Sequence, residues 1–171
     1  IGQLPLLAAD AAVDLNARYN ALLLLGQVDR VEPNATSNIA AVPLAEVTPL
    51  LVGAFDKQDF PEALRIAALV GLARQKEWQV VIGAAPSIAG VAAKLPASKM
   101  PPPGFSVSGH QWARKLALQM VVGLAKSGSE MNRPETVKAL FEILNDDQEP
   151  LFLRRDAALA LGNIDPTAIS S

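Results

Sequence analysis

Arg18-Tyr19-Asn20-Ala21-Leu22-Leu23-Leu24-Leu25-Gly26 recurs as Arg154-Arg155-Asp156-Ala157-Ala158-Leu159-Ala160-Leu161-Gly162, and this agreement decides how the rest of the chain is read. Each copy is followed at the same offsets by a β-branched apolar residue and an Asp, Val28 and Asp29 in one, Ile164 and Asp165 in the other. Two weaker copies lie between them. In the second, Arg65 is followed by Ala68, Leu72 and Ala73 at matching offsets. In the third, Val122-Gly123-Leu124-Ala125-Lys126 repeats Val70-Gly71-Leu72-Ala73-Arg74 almost residue for residue. The small residues at 26, 73, 125 and 162 stand 47, 52 and 37 residues apart, which brackets a repeat built of two helices.

Around the first motif, Leu15, Tyr19, Leu22, Leu23 and Gly26 fall on one face of a helix, with Asp14 as its cap. The same reasoning places seven helices at about 13–26, 43–55, 60–75, 79–94, 108–126, 134–144 and 151–163. Asp59-Phe60-Pro61-Glu62, Ser108-Gly109-His110-Gln111 and Asn132-Arg133-Pro134-Glu135 have the form of capping boxes. Residues 1–12 are expected to supply a leading helix or cap. Sustained two-residue alternation is absent, so strands are not expected. The fold class is therefore all-α, about three and a half two-helix repeats in a single domain over residues 1–171. Ile1 in place of Met suggests a piece of a longer protein.

Half the residues are apolar and only 5% aromatic, so the core must be Ala, Leu, Val and Ile, which suits close helix packing. A net charge of -2, from 15 basic and 17 acidic residues, disfavours a nucleic-acid partner, which usually meets a basic patch. The chain has no cysteine, which removes disulfides, thiolate metal sites and Cys nucleophiles. The most apolar stretch, 79–95, holds Pro86 and Lys94 and is shorter than the roughly 20 residues of a membrane span.

At its arginine, alanine, leucine and glycine positions the chain resembles the HEAT-repeat family, especially the bacterial HEAT-like repeats of phycobilin lyases. The match is best over Leu153 to Asp165 and extends over most of 13–165. The resemblance implies an armadillo-like α-solenoid, an α-α superhelix that binds other macromolecules on a concave face. It does not imply a particular partner. It also leaves an enzymatic alternative, a chromophore lyase or a DNA glycosylase, for which Tyr19, Trp78 and Trp112 would be the available rings.

Four groups of residues invite a functional reading. The repeated arginines, Arg18, Arg65, Arg114 and Arg154, either line an acidic-ligand face or form a structural ladder, each pairing with an Asp of an adjoining turn such as Asp29 or Asp59; the ladder is favoured. The insertion from Leu95 to Gly109 carries Met100, Pro101, Pro102, Pro103 and Phe105, a stiff loop with an apolar tip, which is either the preferred interaction element or, on an equal footing, an inert surface loop. His110 and Trp112 stand at the next helix start, where a packing role is favoured over acid-base chemistry. The turn Asn145–Glu149 is acidic but lacks calcium-loop spacing, and it reads as a solvated turn. No cofactor or metal is expected. The leading reading is a non-enzymatic interaction or scaffold domain that binds another protein or another domain of its own chain. A third reading is homodimerisation through the repeat ends.

Overall fold

Asp14 opens the first motif helix as expected, its carboxylate accepting from the backbone N–H groups of Asn16 (2.9 Å) and Ala17 (3.4 Å). The computed structural model describes residues 2–38, 40–75, 91–92, 95–96, 98–126 and 134–164, which fall in two compact units, 1–84 and 85–171. The first unit runs α1 (Gln3–Ala9), α2 (Leu15–Gly26), β1 (Asp29–Val31), β2 (Val42–Pro43), α3 (Val47–Asp56) and α4 (Glu62–Arg74). The second contains helical residues at 91–92 and 95–96, then α5 (Val107–Lys126), α6 (Pro134–Asn145) and α7 (Leu151–Leu161). The described chain is mostly helical, and no described helix is long and apolar enough to cross a membrane. The expected helix at 79–94, the ring of Trp78 and the capping box at Asn132 lie mostly or wholly outside the described residues.

Two local expectations need correction. β1 and β2 form a short antiparallel pair, with Asp29 opposite Pro43 and Val31 opposite Val42. Strands this short contain too few residues to leave an alternating pattern, and Pro43, read as the start of a helix, instead closes the ribbon while α3 begins at Val47. The caps also shift. Pro61 starts α4 with no side-chain cap, while Asp59 lies 3.8 Å from Lys57 Nζ. Ser106, upstream of the expected box, accepts from the Gly109 N–H at 3.0 Å.

The repeated arginines are structural, but their acceptors are backbone carbonyls, not Asp29 or Asp59. Arg18 Nε–H donates to the Ala8 carbonyl (3.0 Å), Arg65 Nε–H to Phe55 (2.8 Å) and Arg154 Nε–H to Leu144 (3.1 Å). Each acceptor is the penultimate residue of the preceding helix and lies 10 residues before its arginine. The last carbonyls of a helix have no partner within it and carry the negative end of its dipole, so a guanidinium there satisfies both needs. A charged hydrogen bond of this kind contributes about 1.5–3 kcal/mol. The intervening turn is shared too: Val13 N–H bonds Asp10 O, Phe60 N–H bonds Lys57 O, and Glu149 N–H bonds Asp146 O, at 3.1–3.2 Å. Burial among apolar neighbours depresses the Arg65 pKa, and nearby Asp56 opposes that shift.

Asp29 has another use. The Arg74 guanidinium, from the end of α4, grips both its oxygens (2.8 and 2.9 Å) and reaches the Gly26 carbonyl (3.1 Å). That reach is possible because α2 and α4 cross with Gly26 directly against Gly71. A Cβ on Gly26 would stand 2.5 Å from the Gly71 Cα. Leu22, Leu25, Leu51, Leu64, Leu69 and Leu72 fill the core on either side. In the second unit, Ala113, Ala117, Leu118, Val121, Leu140, Ile143, Leu153 and Ala157 form the corresponding aliphatic core.

Gly26→Ala and Gly71→Ala are each expected to lower stability by about 1–3 kcal/mol through overpacking, although Ala is the better helix former. Gly53→Ala, where an added Cβ meets nothing within 4 Å, is expected to raise it by about 0.5–1 kcal/mol. Urea unfolding followed by circular dichroism separates the two classes.

Candidate functional site

Ten residues before Arg114 the chain is at Gly104, inside the proline-rich insertion and far from a helix end. The arginine nevertheless performs the same task over a longer span. Its Nε–H (3.2 Å) and one Nη (2.9 Å) donate to the carbonyl of Pro96, a helical residue 18 positions upstream. The insertion is thus a lengthened version of the turn that joins the other helix pairs.

The other edge of the Arg114 guanidinium makes two 2.7 Å bonds to the two carboxylate oxygens of Glu149. Both side chains are buried, with 4% and 6% of their surface exposed. A planar fork against a carboxylate is the strongest geometry such a pair can adopt. Nearby, Lys99 Nζ pairs with Asp146 Oδ2. The hydrogen bond from Lys99, then the one from the Gln148 N–H (2.9 Å), hold Asp146 below the ordinary carboxylate range. The bond to Asp146 raises Lys99 in turn. His110, at the start of α5, is buried, and its Nε2–H donates to the Ser98 carbonyl at 2.8 Å. A carbonyl can only accept, so Nε2 carries a proton.

These contacts surround a cleft of about 200 Å³ lined by Lys99, Pro101, Val107, His110, Gln111, Arg114, Asp146, Gln148, Glu149 and Pro150. Three buried polar atoms among the described residues have no partner: Gln75 Nε2, Asp156 Oδ2 and His110 Nδ1. Of these residues, His110 is the one that lines the cleft. Chemically the site offers two internally neutralised ion pairs and an imidazole whose Nδ1 has no partner. Among the described residues, no three His, Cys, Asp or Glu side chains converge as a metal ion would require.

The insertion itself is well shaped. Pro103 and Gly104 occupy a turn closed by Phe105 N–H to Pro102 O (3.0 Å), and Gly104 has the positive φ of 83° that such a corner requires. Ser98 Oγ donates to the Met100 carbonyl at 2.9 Å. Met100 is 80% exposed, Pro103 is exposed, and Pro101, Pro102 and Phe105 are half-buried. Trp112 is 45% exposed, with Lys115 Nζ 4.8 Å from its ring centroid.

Of the residues singled out as possible interaction residues, Pro101 and His110 therefore line one cleft, together with Arg114 of the arginine series and Asp146 and Glu149 of the acidic turn. Met100 and Trp112 do not line it. The sequence reading missed the link between the insertion and the acidic turn: Asp146 and Glu149 are anchors for Lys99 and Arg114. The missing helix end ten residues before Arg114 was the available signal. Asn34 accepts from the Thr36 and Ser37 N–H groups in an exposed turn. No family model and no curated protein matches the chain.

Glu149→Leu strands the buried Arg114 charge and is expected to lower stability by about 3–5 kcal/mol in urea unfolding. Lys99→Ala, at the surface, is expected to leave the unfolding midpoint nearly unchanged. Because the folded Asp146 pKa is depressed, the Lys99 tether is complete above the ordinary value of 3.8 and is lost as pH falls through the lower folded value. Amide exchange across 98–106 measured down that range checks the sign.

Proposed function

We propose that the chain is a HEAT-like helical-repeat domain that works by binding, with the clamped insertion 98–106 as the element presented to a protein partner or to another domain of its parent chain. One observation carries this reading. The loop bearing Met100, 80% exposed, is fixed at its base by the Arg114–Pro96, His110–Ser98 and Lys99–Asp146 contacts. A loop held in one conformation loses little entropy on docking, so its contacts count toward affinity. Met is adaptable and Trp is a frequent anchor of protein interfaces, and Met100, Val107 and Trp112 are all exposed on the loop or the start of α5.

The charge distribution at the cleft supports binding over turnover. Arg114, Glu149, Lys99 and Asp146 are committed to one another, and His110 Nε2–H is committed to Ser98. A general acid or base exchanges its proton at a reacting atom, whereas the four charged groups are held in pairs, which leaves His110 Nδ1 as the unpartnered side-chain atom at the cleft.

Affinity capture from the native lysate compares the intact chain with Met100→Glu and Trp112→Ala. The proposal expects a protein retained by the intact chain and reduced at least tenfold by one of these variants, which leave the melting temperature unchanged. Identical captures from all three baits, or submicromolar salt-sensitive binding to DNA instead, would contradict it.

A further inference from the structure

The turns that follow α3 and α6 close with the same backbone bond, Phe60 N–H to Lys57 O and Glu149 N–H to Asp146 O, yet they carry opposite chemistry. Eight and five residues before its arginine, the turn after α6 has Asp146 and Glu149, whereas the turn after α3 has Lys57 and Phe60. Asp10, at the matching place after α1, behaves as Asp146 does: each carboxylate accepts from the N–H two residues on, of Ala12 and Gln148, at 2.9 Å. A lysine has no acceptor for that bond. At this position the chain gives up a turn cap and gains a cation.

Phe60 changes the charge balance further. In the second unit Glu149 neutralises Arg114, the arginine of the preceding copy, through two hydrogen bonds. In the first unit the arginine of the preceding copy is Arg18, and its guanidinium carbon lies 5.3 Å from the centroid of the Phe60 ring. An aromatic face attracts a cation but cannot accept the paired bonds of a carboxylate. Arg18 is only 8% exposed and uses its Nε–H on the Ala8 carbonyl, while its Nη groups have no acceptor among the described residues. Those Nη atoms are not among the buried unpartnered ones, so solvent reaches them. Lys57 Nζ lies 4.4 Å from the same ring centroid. Neighbouring carboxylates do little to neutralise the two: Asp59, 75% exposed, stays 3.8 Å from Lys57, and Asp56 acts on Arg65.

Beside this ring opens a groove of about 200 Å³ walled by α1, α2 and α3, with Ala8, Leu22, Leu25 and Ala54 among its lining. Phe60 lines it too, and Lys57 is its one charged lining residue. Gly53 faces it from the middle of α3, a position where glycine weakens a helix, and a Cβ there would meet nothing within 4 Å. Packing inside the protein does not require that glycine, but its missing side chain leaves the groove open.

We propose that this groove binds a medium-chain anionic amphiphile, its tail along the apolar walls and its carboxylate against Lys57 and Arg18, supplying the charge that Glu149 supplies to Arg114. The volume, below the roughly 300–1,000 Å³ of sites for drug-sized ligands, restricts the tail to a medium chain. The site lies wholly in the first unit and stands whether or not the insertion meets a partner.

Octanoate is the probe, with octanol supplying the same tail without charge and acetate the same head without a tail. Isothermal titration calorimetry on the full chain is expected to give octanoate an affinity at least tenfold above either control. Lys57→Asp removes the cation and restores the cap that Asp10 and Asp146 make, so it is expected to keep the melting temperature and to weaken octanoate at least tenfold. Gly53→Leu fills the groove from a better helix former and is expected to cause the same loss with the melting temperature kept or raised. No uptake of octanoate, octanol binding as tightly as octanoate, or octanoate affinity unchanged in either folded variant overturns the proposal.

Discussion

An arginine Nε–H that reaches back to the last turn of the preceding helix is the interaction on which the rest of this protein depends. The core of each two-helix unit is mostly alanine and leucine, with Phe55 and Phe60 buried in the first, and such apolar packing has no direction of its own, so a directional bond sharpens the register. The guanidinium supplies that register. It ties one carbonyl to one side chain, and in Arg18, Arg65 and Arg154 it does so across the same ten residues and the same closed turn. Once the hairpins are fixed, the Gly26–Gly71 crossing in the first unit brings α2 and α4 close enough for Arg74 to reach Asp29.

Arg114 shows how the same constraint accommodates change. The chain between the acceptor carbonyl and the arginine lengthens from 10 residues to 18 without loss of the bond. Loop-closure entropy rises only slowly with length, so an insertion is cheap if its ends remain anchored. Here the anchoring is strengthened: Glu149 occupies the free edge of the guanidinium, His110 takes the Ser98 carbonyl, and Lys99 meets Asp146. A spacer that only joined two helices would not need these bonds. They turn a long connection into a shaped surface, which is the physical basis for the proposal that it meets a partner.

The sequence made the helices legible because their signal is periodic and repeated. Asp14 as a cap, the arginine positions and the boundaries of α5, α6 and α7 to within two residues all came from pattern alone. The β1–β2 ribbon did not, because five residues cannot show alternation. The arginine acceptors were misassigned for a related reason: a backbone carbonyl has no letter in the sequence, so a search for partners among side chains finds Asp29 and Asp59 instead. The cleft was only half legible. Pro101 and His110 were identified, yet Asp146 and Glu149 read as a solvated turn, because nothing local marks a carboxylate whose partner is 35 or 47 residues away.

Hydrogen exchange at the arginine Nε–H groups, resolved by nitrogen-edited NMR, tests the central claim most directly. The account predicts slow exchange and dispersed shifts for Arg18, Arg65, Arg114 and Arg154, with the exposed Arg30 exchanging at the rate of a free side chain. Exchange of Arg18, Arg65 and Arg154 as fast as that of Arg30 would contradict it, because the helix pairs would then be held by apolar packing alone.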